Sequence, residues 1–285
     1  MIQDIAPHQF KNEYVPTPPE KDSVILYYEN GKCLVNVSEE GIRFLTFAKA
    51  EQVQSELAKN VIYLFSIDDV KYYLVNKIQK ECFPEYTMES VVIFRTQEPQ
   101  ELAFAGLTGY QLARWYESRR FCGKCGSKMV HDGKERMMRC EHCGHMEYPK
   151  ICPAVIIGLT DGNRMMLTKY ADKRRRRYAL LAGFAEVGET LEETVQREVM
   201  EEVGLRVKNI RYYKSQPWSI SDSLLAGFYC ELDGDDTVTL DENELELAEW
   251  FEREQIPEAA SCETLTNEMM MQFKYCKKPV DRVEY

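Results

Sequence analysis

One segment in the second half of the chain, GFAEVGETLEETVQREVMEEVGL (residues 183–205), strongly restricts how that region can fold. Thr190 followed by Glu193 has the spacing of a capping box, so we expect a helix to begin there. Gly204 is suited to end the helix, because glycine readily takes the left-handed conformation of a helix C-cap. At 100° per residue, one stripe of this helix is apolar and is predicted to face a core. It consists of Leu191, Val195, Val199 and Val203.

The same helix carries closely spaced negative charge on a face beside the apolar stripe. Glu198, Glu201 and Glu202 lie three and four residues apart, and Glu202 falls at the boundary with the stripe. Carboxylates in this arrangement repel one another unless a cation lies among them, and Mg²⁺ characteristically bridges carboxylates to substrate phosphates. Charge alone leaves two interpretations open, a solvated acidic face and a divalent-metal site.

A pair of CxxC motifs in the middle of the chain forms a second constraint. The motifs are separated by fourteen residues and consist of Cys122, Cys125, Cys140 and Cys143. This spacing predicts one tetrahedral Zn²⁺ site, and a site closed by four sulfurs is structural because no coordination position stays open. The alternatives are four reduced surface thiols, a redox or disulfide role, or replacement of one cysteine by His142 or His145.

Composition and charge narrow the class of protein. The chain has 285 residues, of which 44% are hydrophobic and 29% charged, and no apolar run has the length of a membrane span. Its start, MIQDIAPHQF, has neither the basic nor the apolar region of a secretory signal, so we expect a cytoplasmic protein with no membrane partner. The net charge of −11 argues against nonspecific nucleic-acid binding over the whole surface, although a local basic pocket stays possible.

The sequence predicts an α+β protein of three domains. Residues 1–115 read as a β-rich domain with hairpins at Asn30-Gly31 and Asp68-Asp69, followed by a linking helix. We find no catalytic constellation there and expect a structural or dimer-forming role. Residues 116–149 contain the CxxC motifs, and residues 150–285 alternate strand-like and helical segments, which is typical of a layered domain.

Residues 183–205 have every fixed position of the Nudix box and therefore closely resemble the Nudix hydrolase superfamily. The resemblance implies an α/β/α sandwich that hydrolyses a nucleoside diphosphate linked to another group. Within the box, Gly183 and Gly188 are expected to let the loop turn sharply, and Arg197 is expected to pair with Glu189. The catalytic and metal-binding set implied by the box is Glu189, Arg197, Glu198, Glu201 and Glu202.

The segment SQPWSISDS (residues 215–223) is similar to the SQPWPFPxS signature of NADH pyrophosphatases. It departs from that signature at Ser219, Ile220 and Ser221, which replace Pro, Phe and Pro and predict a looser loop. A four-cysteine ribbon directly before the Nudix domain is also this family's arrangement. The resemblance implies a divergent, Nudix-like, β-rich N-terminal domain, a zinc ribbon, a Nudix sandwich, and assembly as a homodimer.

The same resemblance implies further site residues. Glu244 and the carbonyl oxygen of Ala182 match additional ligands for Mg²⁺ or Mn²⁺, two or three ions per site. Phe184 matches an aromatic residue that stacks on nicotinamide. The remaining substrate-binding residues implied are Glu135, Tyr148, Gln216, Pro217, Trp218, Ser219, Ile220, Ser221, Asp222, Ser223 and Glu263.

The expected reaction splits the pyrophosphate of NAD(H) into NMN(H) and AMP, through a metal-bound water that attacks phosphorus. Glu201 is one candidate for the general base. The basic run KRRRR (residues 173–177) is either solvated or contacts phosphates of the dinucleotide or of NAD-capped RNA, a substrate that the family implies. Two alternatives stay open: a Nudix hydrolase of another substrate, such as ADP-ribose, a dinucleoside polyphosphate or capped RNA, and a noncatalytic nucleotide- or RNA-binding protein.

Overall fold

The computed structural model describes residues 1–172, 177–259 and 263–276. Contacts between residues divide the chain into two compact units. The N-terminal unit comprises Ile2–Lys150 and Ser219–Ser221, and the C-terminal unit comprises Met1, Ile151–Trp218 and Asp222–Tyr285. The first four residues of the basic run, 173–176, lie outside the described part of the chain.

The N-terminal unit is rich in short strands, as predicted. They form a five-stranded sheet in the order β1-β7-β8-β2-β6 and a second sheet in which β4 pairs with β3, β5 and β9. Their bounds are β1 (Phe10–Lys11), β2 (Val24–Leu26), β3 (Tyr28–Glu29), β4 (Lys32–Ser38), β5 (Gly41–Arg43), β6 (Leu45–Thr46), β7 (Val61–Ile67), β8 (Val70–Val75) and β9 (Thr87–Ser90). Short 3₁₀ helices span Leu57–Asn60, Lys80–Cys82 and Val91–Arg95.

Both predicted hairpins are confirmed. Asn30 and Gly31, with φ of 51° and 73°, turn the chain between β3 and β4. Two consecutive positive φ values suit the right-handed twist of the flanking strands, which explains the Asn-Gly pair. Asp68, with φ of 52°, begins the turn between β7 and β8.

The predicted linking helix is α2 (Gln100–Ser118), and a shorter helix, α1 (Phe47–Val53), precedes it. Glycines let α2 pack closely on the neighbouring strands. A methyl group on Gly109 would lie 2.5 Å from Leu26 Cδ1 and 2.7 Å from the Tyr28 hydroxyl. That hydroxyl donates a 2.7 Å hydrogen bond to the Gly106 carbonyl oxygen, so the helix and the β3 strand are joined at this contact.

Three short strands complete the N-terminal unit: β10 (Met129–His131), β11 (Met138–Cys140) and β12 (Met146–Glu147). Arg136, in the loop before β11, donates hydrogen bonds to the side chain and carbonyl of Asn12 and to the Leu64 carbonyl. This half-buried arginine therefore attaches the cysteine-bearing module to the first sheet.

The C-terminal unit is a six-stranded mixed sheet in the order β16-β17-β13-β14-β18, with β15 paired to β13. Strands β13 and β17 are parallel, and the other pairs are antiparallel. The elements are β13 (Cys152–Asp161), β14 (Arg164–Tyr170), β15 (Leu181–Phe184), α3 (Leu191–Val203), β16 (Val207–Trp218), β17 (Ser223–Leu232), β18 (Leu245–Glu252), a 3₁₀ helix (Arg253–Gln255) and α4 (Leu265–Tyr275).

Helices cover both faces of this sheet. Val155 and Ile157 point toward α3 and pack with Val195 and Val199, whereas Ile156 packs on the opposite face with α4. The alternation follows from the two-residue period of a strand. The C-terminal unit is therefore the α/β/α sandwich that we expected. Within the described residues, no helix combines the length and the apolar character needed to cross a membrane.

Candidate functional site

Helix α3 begins and ends as predicted. The Glu193 N–H donates a 3.2 Å hydrogen bond to Thr190 Oγ1, and the Thr190 N–H donates a 2.8 Å bond to the Glu193 carboxylate. These reciprocal bonds form a capping box. Gly204 takes a φ of 70° directly after the helix. The apolar stripe fixes the rotation of α3 on the sheet, because Val195, Val199 and Val203 are completely buried.

The three glutamates of α3 differ in exposure. The Glu201 side chain is 58% exposed, whereas Glu198 and Glu202 are buried, with 8% and 3% of their surface exposed. Glu202, expected at the boundary of the apolar stripe, therefore lies beneath the surface. Burying a carboxylate is costly unless a hydrogen bond or a cation compensates for lost hydration. This burial does not fit the interpretation of a solvated acidic face.

Gly183 forms the wall against which the Glu198 carboxylate rests. A methyl group at this position would lie 1.9 Å from both Cδ and Oε1 of Glu198. The expectation that Gly183 permits a sharp turn is wrong, since the residue pairs regularly with Val155 in a strand. It is a glycine because a carboxylate occupies the space of a side chain. The same expectation is confirmed for Gly188, which has a φ of 99°.

Arg197 links the loop before α3 to the helix. Its Nε and Nη2 donate hydrogen bonds of 2.5 and 3.1 Å to the two oxygens of Glu189, which is the expected pairing. Its Nη1 lies 2.8 Å from carboxylate oxygens of both Glu198 and Glu201, and Nη2 also donates to the Phe184 carbonyl. One guanidinium thus holds three carboxylates and the end of β15.

The pKa values of these carboxyls differ because hydrogen bonding dominates at Glu189 and burial dominates at Glu198 and Glu202. Hydrogen bonding from Arg197 lowers the pKa of Glu189 to about 2. Burial raises the pKa of Glu198, although the bond from Arg197 opposes this effect. Burial, together with the charges of Glu198 and Glu244, raises the pKa of Glu202 to about 8. The site therefore contains two buried carboxyls whose ionisation needs additional positive charge.

Glu244 reaches this cluster through the loop that precedes β18. The Thr239 and Asp241 N–H groups donate bonds of 2.9 and 3.0 Å to the carbonyls of Val203 and Glu202. These carbonyls belong to the last turn of α3, where no later turn supplies a donor. The loop is thereby attached to the end of α3. Sequence reasoning missed Asp241, whose charge also raises the pKa of Glu202; the acidic run after residue 240 is the only signal for it.

The box residues fit a hard divalent cation. All available ligands are oxygens, and Glu202 Oε2 is buried with no hydrogen-bond partner. A buried, unpaired carboxylate oxygen is a suitable ligand for Mg²⁺ or Mn²⁺. Among the described residues, however, no three of these carboxylates have oxygen atoms that all lie within 4.8 Å of one another.

The four predicted zinc ligands do come together. The sulfur atoms of Cys122, Cys125, Cys140 and Cys143 all lie within 4.8 Å of one another, and no histidine joins this group among the described residues. The Cys122–Cys143 and Cys125–Cys140 sulfurs are 3.6 and 3.5 Å apart. Hydrogen bonds from Ser127 lower the pKa of the Cys125 thiol to about 5, which favours the thiolate that binds metal. Four sulfurs at these distances fit one tetrahedral Zn²⁺.

The predicted substrate residues are distributed over both units. In the N-terminal unit, the Tyr148 hydroxyl donates a 2.7 Å bond to the Glu135 carboxylate, and the Tyr148 ring is exposed. In the C-terminal unit, the Phe184 ring is 53% exposed at the end of β15. Pro217 and Trp218 end β16, Asp222 lies in the following turn, and buried Ser223 begins β17.

Gln216 is completely buried and its amide is engaged by the backbone. Its Nε2 donates a 2.8 Å bond to the Glu263 carbonyl, and its Oε1 accepts a 2.8 Å bond from the Leu265 N–H. The side chain therefore fixes the segment that leads into α4, including Glu263.

The Ser219–Ser221 segment is not the loose loop that the departure from Pro-Phe-Pro predicts. Ser219 is buried, and its carbonyl accepts a 2.9 Å bond from Arg114. Ile220 packs against the core of the N-terminal unit. These contacts hold the segment against the N-terminal unit.

An α/β/α sandwich with a capped loop-helix segment carrying the complete box defines the C-terminal unit as a Nudix domain. Comparison with family models agrees: residues 150–270 match the NUDIX domain and residues 117–148 match the NADH pyrophosphatase zinc ribbon domain. Residues 150–270 are thus a NUDIX domain, and residues 117–148 match the zinc ribbon of NADH pyrophosphatases.

Known proteins are similar to part of the chain. The chain is 45% identical over 150 residues to the NAD-capped RNA hydrolase NudC of Pectobacterium atrosepticum, covering 53% of this chain and 57% of the relative. It is 42% identical over 161 residues to NudC of Klebsiella pneumoniae, covering 56% and 62%. The match therefore spans less than two thirds of these relatives. A solved NUDIX hydrolase from Nitrosomonas europaea aligns with a TM-score of 0.46 at 23% identity, covering 54% of this chain and 90% of that one.

Proposed function

We propose that this chain hydrolyses the pyrophosphate of NAD(H) to NMN(H) and AMP, and that it also removes NAD caps from the 5′ ends of RNA. The observation that carries the proposal is the pair of buried box carboxylates, Glu198 against Gly183 and Glu202 with an unpartnered oxygen, in a domain preceded by this type of ribbon. The matched relatives are named NAD-capped RNA hydrolases, which supports the choice of substrate.

Glu198, Glu201, Glu202 and Glu244, with the Ala182 carbonyl, would hold two or three Mg²⁺ or Mn²⁺ ions. When bound, these ions supply neutralisation of the pyrophosphate charge and a water of lowered pKa. Arg197 keeps the box loop and helix in one arrangement through its bonds to Glu189 and Phe184. The positive charge of these ions would favour the ionised forms of Glu198 and Glu202. The same charge would neutralise the pyrophosphate of the substrate.

Substrate binding would use exposed side chains together with residues that are buried beside them. The exposed ring of Phe184 offers a face for nicotinamide, and the hydrogen-bonded pair Tyr148–Glu135 offers a polar contact. Gln216 would act indirectly by holding the backbone at Glu263. The remaining pocket residues would be Pro217, Trp218, Ser219, Ile220, Ser221, Asp222 and Ser223. We further propose a homodimer, and a cytoplasmic location because NAD(H) and RNA are found there.

The main competing function is hydrolysis of another Nudix substrate, such as ADP-ribose or a dinucleoside polyphosphate. Its support is the Ser219-Ile220-Ser221 sequence, which departs from the dinucleotide signature. A noncatalytic nucleotide- or RNA-binding role is less consistent with the site, since binding alone does not require buried carboxylates with raised pKa values.

Product analysis tests the proposal. Purified protein with Mn²⁺ or Mg²⁺ is given NADH, NAD⁺, ADP-ribose and a diadenosine polyphosphate at equal concentration, and NAD-capped RNA in a parallel reaction. The expected result is NMN(H) and AMP, formed fastest from NADH, and removal of the cap from the RNA, with both reactions abolished by chelator. Faster hydrolysis of ADP-ribose or the diadenosine compound would reject NAD(H) as the preferred substrate while retaining Nudix chemistry.

A further inference from the structure

A cavity of about 720 Å³ lies inside the N-terminal unit, and all the residues that line it belong to that unit. Its walls are the β3–β4 hairpin, the ends of β7 and β8, one side of α2, and strands β10 and β11. The volume lies within the range of small-molecule sites, roughly 300–1,000 Å³, and is far larger than an ion needs. No box glutamate lines it, so the cavity is separate from the proposed hydrolytic function.

Aromatic rings supply much of the cavity wall. The rings of Tyr28 and Tyr110 are 5.6 Å apart between centroids, and those of Tyr116 and His131 are 5.0 Å apart. The Arg114 guanidinium lies 4.6 Å from the centroid of the Tyr110 ring. Tyrosine faces and arginine planes are the surfaces on which proteins stack nucleic-acid bases.

Two cations stand at the ribbon side of the cavity. Arg120 and Lys128 are exposed lining residues, and neither has an ion pair within the described residues. The backbone keeps them together, because the Met129 N–H donates a 3.0 Å bond to the Arg120 carbonyl and Phe121 forms a β-bridge with Lys128. Such a pair is suited to a phosphate.

The acidic residues of the cavity only partly offset these cations. Glu29 is engaged by Lys80 at 2.6 Å and also accepts a hydrogen bond from Tyr27. Glu117, which is exposed on α2, is the other lining carboxylate. The arrangement leaves free positive charge here, although the chain as a whole has a net charge of −11.

Tyr116 contributes its ring, and not its hydroxyl, to the cavity wall. Tyr116 lines the cavity with only 5% of its surface exposed, and its hydroxyl has no hydrogen-bond partner among the described residues. The hydroxyl oxygen is itself closed off from the cavity, so only the Tyr116 ring is available to a ligand.

From these features we propose that the cavity is a nucleotide-binding site, in which a base stacks on the tyrosines and a phosphate pairs with Arg120 and Lys128. The ligand chemistry is that of a nucleotide, either free in solution or part of a single-stranded RNA. The N-terminal unit would then recognise a nucleotide, and this role is separate from hydrolysis by the C-terminal unit.

Binding to the zinc-loaded, full-length protein tests the proposal without any use of its activity. GMP, which is not a product of NAD hydrolysis, is titrated by calorimetry, and a short single-stranded poly(A) RNA with a 5′ hydroxyl is titrated by fluorescence polarisation, both without Mg²⁺ or Mn²⁺. The test variant is Arg120→Ala/Lys128→Ala, whose altered side chains are exposed and should not affect folding. The control is Lys124→Ala, an exposed ribbon lysine that does not line the cavity.

We expect the double variant to bind at least about tenfold more weakly and with a shallower salt dependence, and Lys124→Ala to bind as the wild type does. If GMP binds to the wild type and binds more weakly to the double variant, a free nucleotide is sufficient as a ligand of the cavity. Binding confined to the RNA, and weakened in the double variant, would identify a nucleotide within a chain. Absence of binding of both probes to the wild type, or equal binding by the wild type and the double variant, would overturn the proposal. NADH hydrolysis measured on the same samples reports separately on the proposed function.

Discussion

The Glu198 carboxylate occupies the space in which any side chain on Gly183 would lie, with Cδ only 1.9 Å from the position of an added Cβ. This contact joins the first fixed position of the Nudix box to the helix that follows it. Because all four residues of β15 pair in regular register with β13, the backbone at Gly183 cannot move away without breaking that pairing. The carboxylate must therefore move when the glycine is replaced.

Gly183→Ala should displace Glu198 and lower kcat about 100-fold or more, since misplacing a catalytic group by about 1 Å has an effect of that size. Steady-state kinetics with NADH and a melting curve measure this. Gly133→Ala is the matched control, because a Cβ there meets no atom within 4 Å. Wild-type kcat in Gly183→Ala would show that Glu198 has no required position.

Glu202→Gln should lower kcat by orders of magnitude and leave the fold intact, because it keeps the shape of the side chain and removes one metal-binding charge. Glu192→Gln on the exposed face of α3 provides the control. Circular dichroism and zinc content confirm folding of both variants. Turnover near the wild-type rate would exclude Glu202 from the catalytic machinery.

The raised pKa of Glu202 predicts the pH dependence of stability when no Mg²⁺ or Mn²⁺ is added. The folded protein retains the Glu202 proton up to about pH 8, whereas the unfolded chain releases it near the ordinary value of 4.5. The folded state therefore binds more protons between these values, and this contribution to stability, complete below pH 4.5, is lost as the pH rises toward 8.

Melting temperatures at pH 5.5 and 7.5 should accordingly show a smaller decrease for Glu202→Gln than for the wild type. For a domain of this size, each kcal/mol of unfolding free energy corresponds to a shift of about 2–4 °C in the melting temperature. Parallel curves for the two proteins would mean that the Glu202 pKa is not raised.

Arg197→Lys should lower both kcat and the melting temperature, although the charge is retained. A lysine has one nitrogen and cannot bond Glu189 at two oxygens while also reaching Glu198, Glu201 and the Phe184 carbonyl. Arg206→Lys, an exposed arginine just beyond α3, serves as the comparison. If Arg197→Lys behaves like Arg206→Lys, the network around Arg197 contributes nothing measurable.

One Zn²⁺ per chain should be found by elemental analysis, and Cys140→Ser should abolish it and destabilise the N-terminal unit, because Cys140 is fully buried in the four-sulfur cluster. Cys82→Ser, which changes an exposed thiol outside the cluster, should retain the metal. Full zinc content in Cys140→Ser would refute the four-cysteine site.

Local features could be read from the sequence because they depend on residues close together in the chain. The capping box at Thr190, the end of α3 at Gly204, the turn at Asn30-Gly31 and the pairing of the two CxxC motifs follow from spacing and backbone preference. The pairing of Arg197 with Glu189 also joins residues within one short segment. In each of these cases the interacting groups are connected by a short length of chain, so few arrangements compete.

Other features of the site depend on contacts between residues far apart in sequence, and only the tertiary structure decided them. Glu202 is buried because the rotation of α3 is set by the sheet beneath it, and Glu244 approaches it because a distant loop bonds to the last turn of that helix. Gln216 is turned inward by the backbone before α4. Burial, and with it the pKa of each carboxyl, is a property of the packed elements around a residue, which the spacing of a motif does not specify.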